Sequence, residues 1–291
     1  MKVAYVSKIF LGKLLDEKLL TVIVELTMMT TWSFLLAWTA LAIIARHFWK
    51  DNLVQKNVFV NPTFAKLPSE KQDRVLDAAI EEFSRWGYEK ASINRMVGRL
   101  GIAKGSIFQY FGSKKNLYFH IFEYAVALVR RSLKGVKAES EGEDFFIRLS
   151  KSLRAGVYFI ERYPRIYQIY LKMLFQEDFP FRADLLRAIR LFSMDYLRPI
   201  VEEGIRKGEV RQDLDPEVAA FFLDALLDRF LQAYCIAYMD SGLGLFQANE
   251  EVIQRRIEDC VNIVRCGMAT STWGRNEVLP QRSRSTQREY F

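Results

Sequence analysis

Two short helical stretches joined by one glycine constrain this chain more than anything else in its sequence. The first, Ser92 to Leu100, turns Ile93, Met96, Val97 and Leu100 inward, and the second runs from Ala103 to Tyr110 after the Gly101-Ile102 turn. A longer helix precedes them, with Val75, Leu76, Ala79, Ile80 and Phe83 at helical spacing and Gly87 as the left-handed residue that ends it. Ser69, with Gln72 three residues on, has the form of a capping box at its start. Phe111-Gly112-Ser113 breaks the third helix, and Ser113 caps a fourth that opens Lys114-Lys115-Asn116-Leu117. Two short helices around a glycine turn are the pattern of a helix-turn-helix.

The charge distribution points the same way. Lys90 to Phe122 holds six basic residues (Lys90, Arg95, Arg99, Lys104, Lys114, Lys115) and no acid, whereas Glu70 to Glu89 carries six acids. The chain's net charge of +7 is mild, so the location of the charge matters more than its total. A local basic face beside polar side chains of groove-reaching size is the electrostatic footprint of DNA binding.

The segment GYEKASINRMVGRLGIAKGSIFQYFGSKKNLY, Gly87 to Tyr118, resembles the DNA-binding signature of TetR-type transcriptional regulators. The resemblance rests on Gly87-Tyr88, the Gly101 turn, Lys104-Gly105-Ser106, the pair Tyr110-Phe111, and Ser113-Lys114 before Leu117. Ser92, Met96-Val97 and Ala103 depart from the usual residues, and Ala103 removes one hydroxyl cap and phosphate contact. The resemblance implies that the third helix enters the major groove with Lys104, Ser106 and Gln109 nearest the base edges. Tyr110 and Lys114, with Ser92 and Asn94, are then expected at phosphates. Phe108 and Phe111 are expected in the core of so small a domain. Arg99 reads equally as a solvated charge or a phosphate contact.

Downstream, residues 140–268 read as long amphipathic helices. Phe146, Leu149, Leu153, Val157 and Ile160 share a face that Pro164 interrupts. Leu185, Ile189, Phe192, Tyr196 and Ile200 form another stripe, and Asp215-Pro216 caps a further helix. No alternating strand pattern appears, so the fold class is all-α, with a helix-turn-helix domain at 62–125. The resemblance implies that the helical domain after it, 126–268, binds an effector and dimerises. The resemblance implies a homodimer paired through the last two helices, facing two half-sites of double-stranded operator DNA. The aromatic set Phe159, Tyr163, Tyr167, Tyr170, Phe175, Phe192, Tyr196 and Tyr234 is denser than a core requires, and suits a small, mostly apolar effector with one or two polar handles. Arg229 beside Asp228 reads as an ion pair, within the helix or between subunits.

Residues 1–61 are set apart by composition. Leu26 to Ala45 is twenty residues without a charge, which as a helix would reach roughly 30 Å, the depth of a bilayer core. Three readings stay open: a membrane anchor at 26–45, translated upstream sequence with a true start nearer Val54–Val60, or a buried or partner-binding helix. The first would make the protein a membrane-anchored sensor of a lipophilic signal that still binds DNA, held at the inner membrane. The second leaves a cytoplasmic, nucleoid-associated regulator. Residues 269–291 are polar and Arg-rich, and are expected to be a disordered tail.

Enzymatic readings find little to stand on. His120 is the one histidine of the expected folded region, so a Ser-His-Asp set has little to build on. Gly98, Gly101 and Gly105 do not match the phosphate-loop spacing, and Gly242-Leu243-Gly244 lacks a dinucleotide fingerprint. Adjacent carboxylates such as Glu202-Glu203 point apart on a helix. Cys235, Cys260 and Cys266 have no zinc spacing, and neither a metal nor a cofactor is implied.

Overall fold

The computed structural model describes residues 59–270. The candidate membrane segment, the alternative start as far as residue 58, and the tail from residue 271 lie outside the described residues.

Within 59–270 the chain is helical: α1 (Pro62–Ala65), α2 (Ser69–Lys90), α3 (Ile93–Leu100), α4 (Lys104–Phe111), α5 (Lys114–Glu139), α6 (Phe145–Arg162), α7 (Pro164–Phe175), α8 (Arg182–Arg206), α9 (Pro216–Cys235) and α10 (Glu250–Met268). A 3-10 turn at Ala237–Met239 follows α9. No strand occurs among the described residues, and the one isolated bridge ties Val210 to Ala269. No helix among them is long and apolar enough to cross a membrane.

Local chemistry places most helix ends where the sequence puts them. Ser92 caps α3 by accepting from the Arg95 amide, and Gly101, at φ +67°, ends it in the left-handed region. Ser113 caps α5 by accepting from the Asn116 amide at 3.1 Å. Asp215 caps α9 through the Glu217 and Val218 amides at 2.7 and 3.2 Å, with Pro216 at the first helical position. The capping box at Ser69 does not form. Pro68 stands at the cap, its carbonyl accepts from the Lys71 and Gln72 amides, and the Gln72 side chain turns back to donate to the Leu67 carbonyl at 2.8 Å.

Burial divides the described residues into two apolar cores. One joins α2 to α5 and includes Phe83, Met96, Ile107, Phe111 and Leu117. The other joins α6, α8, α9 and α10 around Phe146, Leu153, Leu223 and Ile257. Helix α7 belongs to the first: Ile166, Ile169 and Met173, with Phe179 and Phe181 after it, complete the core of the amino-terminal helices. Helix α5 runs unbroken past residue 125, so the helix-turn-helix region and the body share it.

Candidate DNA-reading face and effector cavity

Helix α4 has one buried and one open face. Ile107, Tyr110 and Phe111 are buried, while Lys104, Gly105, Phe108 and Gln109 are exposed and Ser106 is half-buried. Phe108 is therefore not a core residue. At 42% exposure it stands between Lys104 and Gln109 on the open face, because helical phase gives the inward positions to Ile107 and Phe111. Tyr110 goes the other way. Its ring is buried and packs 5.7 Å from Phe64 of α1, which places it in the core and not among the exposed side chains. Asn94 is exposed at the start of α3.

Several of the basic residues hold structure together. Glu82 of α2 is completely buried. Its Oε1 accepts from the Ser92 amide at 2.9 Å and from Arg95 Nε at 2.7 Å, and its Oε2 accepts from Arg99. Arg99 also reaches Glu81 Oε2 at 3.2 Å, so it is an ion-pair residue. Two carboxylates from the acidic stretch thus neutralise two cations of the basic stretch, and α3 is pinned to α2. Lys114 donates to the Glu89 and Ala91 carbonyls, both at 3.2 Å, and lies 4.7 Å over the Tyr88 ring. Lys90, Lys104 and Lys115 remain as exposed cations.

The turn ahead of α3 is gripped from the body. Gly87 sits at φ +68°, ψ −173°, a conformation nearly reserved to glycine, and a Cβ there would fall 1.2 Å from Glu177 Oε1. Glu177, just past α7, accepts from the Tyr88 amide at 2.7 Å. The Tyr88 ring lies 4.8 Å from Phe181 and 5.3 Å from Phe179. The α7–α8 connection is therefore keyed into the base of the helix-turn-helix. Nothing in the sequence marked Glu177 for this, since its partner is 89 positions away.

The body holds a partly open cavity of about 250 Å³ between α5, α6, α7, α8 and α9, lined almost wholly by apolar side chains. Phe159, Tyr167, Tyr170, Phe192 and Tyr196 of the expected aromatic set line it. Tyr163, Phe175 and Tyr234 do not. Tyr163 occupies the α6–α7 break and packs 5.2 Å from Phe159, Phe175 is turned outward at the end of α7, and the Tyr234 hydroxyl donates to Glu161 Oε1 at 2.9 Å. The cavity also has a polar wall, which no local pattern in the sequence marks. Arg190 of α8 donates to Asp224 Oδ2 at 3.1 Å and to Asp228 Oδ2 at 2.6 Å, and Tyr170 donates to Asp228 Oδ1 at 2.9 Å. The ion-pair partner of Asp228 is thus Arg190 on a neighbouring helix, while Arg229 is exposed and donates to Ser241 Oγ at 3.2 Å. Burial opposes the Arg190 charge, yet Asp228 and Asp224 hold its pKa above the ordinary arginine value. Burial, then Asp228, pushes Tyr170 well above the usual phenol range, so it stays neutral.

Comparison with known proteins matches these two parts separately. Residues 75–121 match the model for bacterial regulatory proteins of the tetR family, and residues 143–269 match that for a tetracyclin repressor-like C-terminal domain. The chain is 25% identical over 178 residues to the HTH-type transcriptional repressor AcnR of Corynebacterium glutamicum, covering 61% of this chain and 88% of that one. It is 35% identical over 174 residues to the HTH-type regulator YvdT of Bacillus subtilis, covering 60% and 87%. A crystal structure of a TetR family regulator from Chloroflexus aurantiacus superimposes with TM-score 0.55 at 31% identity, over 73% of this chain and 99% of that one. With both halves matched, in order and over nearly the whole of these relatives, the chain belongs to the TetR family of transcriptional regulators.

Proposed function

We propose that this protein is a dimeric transcriptional repressor, no enzyme, that releases operator DNA when a small, mostly apolar effector fills the cavity. One observation carries the reading. Tyr118, Ile121, Ile166, Ile169 and Met173 line the cavity and also belong to the core that holds the helix-turn-helix. An occupant that moves α7 therefore disturbs the packing of the reading helices, and Glu177 conveys the same movement to the Tyr88 turn.

On the DNA side, Ser106 and Gln109 face base edges, and Phe108 adds an apolar surface suited to a thymine methyl. Asn94, Ser92 and Lys104 meet phosphates, and Lys114 fixes the fold of the head more than it touches DNA. For dimerisation, Val218, Phe221 and Phe222 of α9 and Ile263 of α10 are 49–70% exposed, an apolar face left without a partner in one subunit. Two copies joined there present two reading helices to half-sites about one DNA turn apart, roughly 34–36 Å. Effector binding favours a dimer of different spacing, and the operator is lost by population shift. The place of action is the cytoplasm, on the chromosome.

Selection of sequences from a random DNA pool by the purified protein tests this. A two-fold symmetric site should emerge, bound by a dimer. Gln109→Ala should lose roughly 1–3 kcal/mol of preference for it with random-DNA binding unchanged. Equal losses on both DNAs would remove Gln109 as a base reader, and failure to enrich any site would remove the function.

A further inference from the structure

The cavity keeps its polarity at one end, and that end has a sign. Asp224 and Asp228 stand one turn apart on α9, and both line the cavity. Arg190 is the only cation among the described residues that line it. Its NH1 lies 3.1 Å from Asp224 Oδ2, and its NH2 lies 2.6 Å from both Asp228 Oδ2 and the Tyr170 hydroxyl. One guanidinium against two carboxylates leaves the cluster one negative charge in excess.

A second, independent group faces the same space. Tyr167 is only 8% exposed, lines the cavity, and its hydroxyl has no hydrogen-bond partner. Its ring lies 5.6 Å from that of Tyr170, beside the charged cluster. A buried hydroxyl without a partner is costly, and a ligand that supplies one removes the cost.

Taking this cavity as the effector site, the geometry points to an effector with an apolar body and a cationic, N–H-donating head, such as a protonated amine. That head is placed against Asp224 and Asp228, with the Tyr167 hydroxyl accepting from it. The two carboxylates keep unused lone pairs after bonding Arg190, and a monovalent cation brings the cluster to neutrality. A carboxylate or phosphate head must instead draw Arg190 away from both aspartates, and a neutral head leaves the excess charge uncompensated. An apolar cavity of about 150 Å³ admits benzene, so about 250 Å³ admits on the order of ten non-hydrogen atoms.

Three ligands of equal length separate the cases: octylamine, octanoate and octanol, titrated calorimetrically into the full-length protein at pH 7, where the amine is protonated. Octylamine should bind at least tenfold tighter than the other two. That preference should vanish in Asp228→Asn, and Tyr167→Phe should weaken the amine severalfold. Octanoate or octanol binding as tightly as the amine overturns the head-group assignment and leaves the cavity as an effector site. Binding of none overturns the assignment and the effector reading together, while operator affinity, read separately by fluorescence anisotropy, reports whether the DNA-binding reading stands. If Asp228→Asn does not fold, the ranking of the three ligands on the wild-type chain still decides.

Discussion

In the helix-turn-helix, buried Glu82 holds two guanidiniums, those of Arg95 and Arg99; in the body, Arg190 holds two carboxylates, those of Asp224 and Asp228. The same chemistry serves opposite ends. Around Glu82 both oxygens accept, from the Ser92 amide and two arginines, Glu81 balances the charge, and the carboxylate is closed off from any open space. Such a cluster has nothing left to offer a ligand, and it fixes how α3 lies on α2. Around Arg190 the carboxylates are in excess and border an open space. A polar cluster with spare capacity beside a cavity is able to recognise something, whereas a saturated one within a core only orients its neighbours.

This contrast can be broken most directly by comparing Glu82→Gln with Asp228→Asn. Loss of the buried Glu82 charge leaves two arginines and the Ser92 amide poorly matched, and should cost about 3 kcal/mol in denaturant unfolding. Asp228 is 20% exposed, and Arg190 keeps Asp224, so its loss should cost about 1 kcal/mol. Equal costs would mean that the body cluster is structural too. Gly87→Ala comes next, at about 2–3 kcal/mol, since it combines a glycine-only backbone with a collision on Glu177. In a Glu177→Ala background part of that cost should disappear; an unchanged cost would mean that the junction does not bear on the turn.

Lys114 and Lys104 offer a smaller test, of whether a cation serves fold or DNA. Lys114→Ala should destabilise by about 1 kcal/mol with the salt slope of DNA binding nearly unchanged. Lys104→Ala should leave stability alone and reduce that slope by about 0.9. Interchanged results would reverse the assignment. The smallest effect is expected at Glu123, half-buried on α5, whose Oε1 lacks a partner and whose pKa burial pushes up to about 7. A raised folded pKa means stability that is full below the unfolded value, near 4.5, and is lost as pH rises through about 7. Glu123→Gln should therefore be indistinguishable from wild type near pH 4 and more stable at pH 8, by under about 1 kcal/mol after allowance for solvent. A gain that is the same at both pH values would exclude the titration.

What was legible in the sequence was what depends on neighbours along the chain. The Ser92, Ser113 and Asp215 caps, the Gly101 turn and the break at Pro164 each act within a few residues, and each stands where it was expected. Ser69 failed because a competing local partner, the Pro68 carbonyl, set the start of α2 one residue earlier. The aromatic stripe foretold a cavity-forming region, but not which members reach it. Tyr167 and Tyr170 share one face of α7, while Phe175 lies two residues past the inward Met173 and turns away. Phe108 departs from the expected core position for a related reason. Its size favours burial, and only the phase of α4 against α1 and α5 shows that the inward positions are already filled.

The sequence by itself determined the helical class, the order of the helices, and the short α4 after its glycine turn, because periodicity, caps and glycine turns are local and repeat at fixed spacing. Only the tertiary structure decided which charges are spent on each other. Glu82 meets Arg99 across 17 positions, Asp228 meets Arg190 across 38, and Tyr88 meets Glu177 across 89. Coulomb attraction and hydrogen bonding depend on distances of about 3 Å in space, and a linear spacing says nothing of those until the helices have packed.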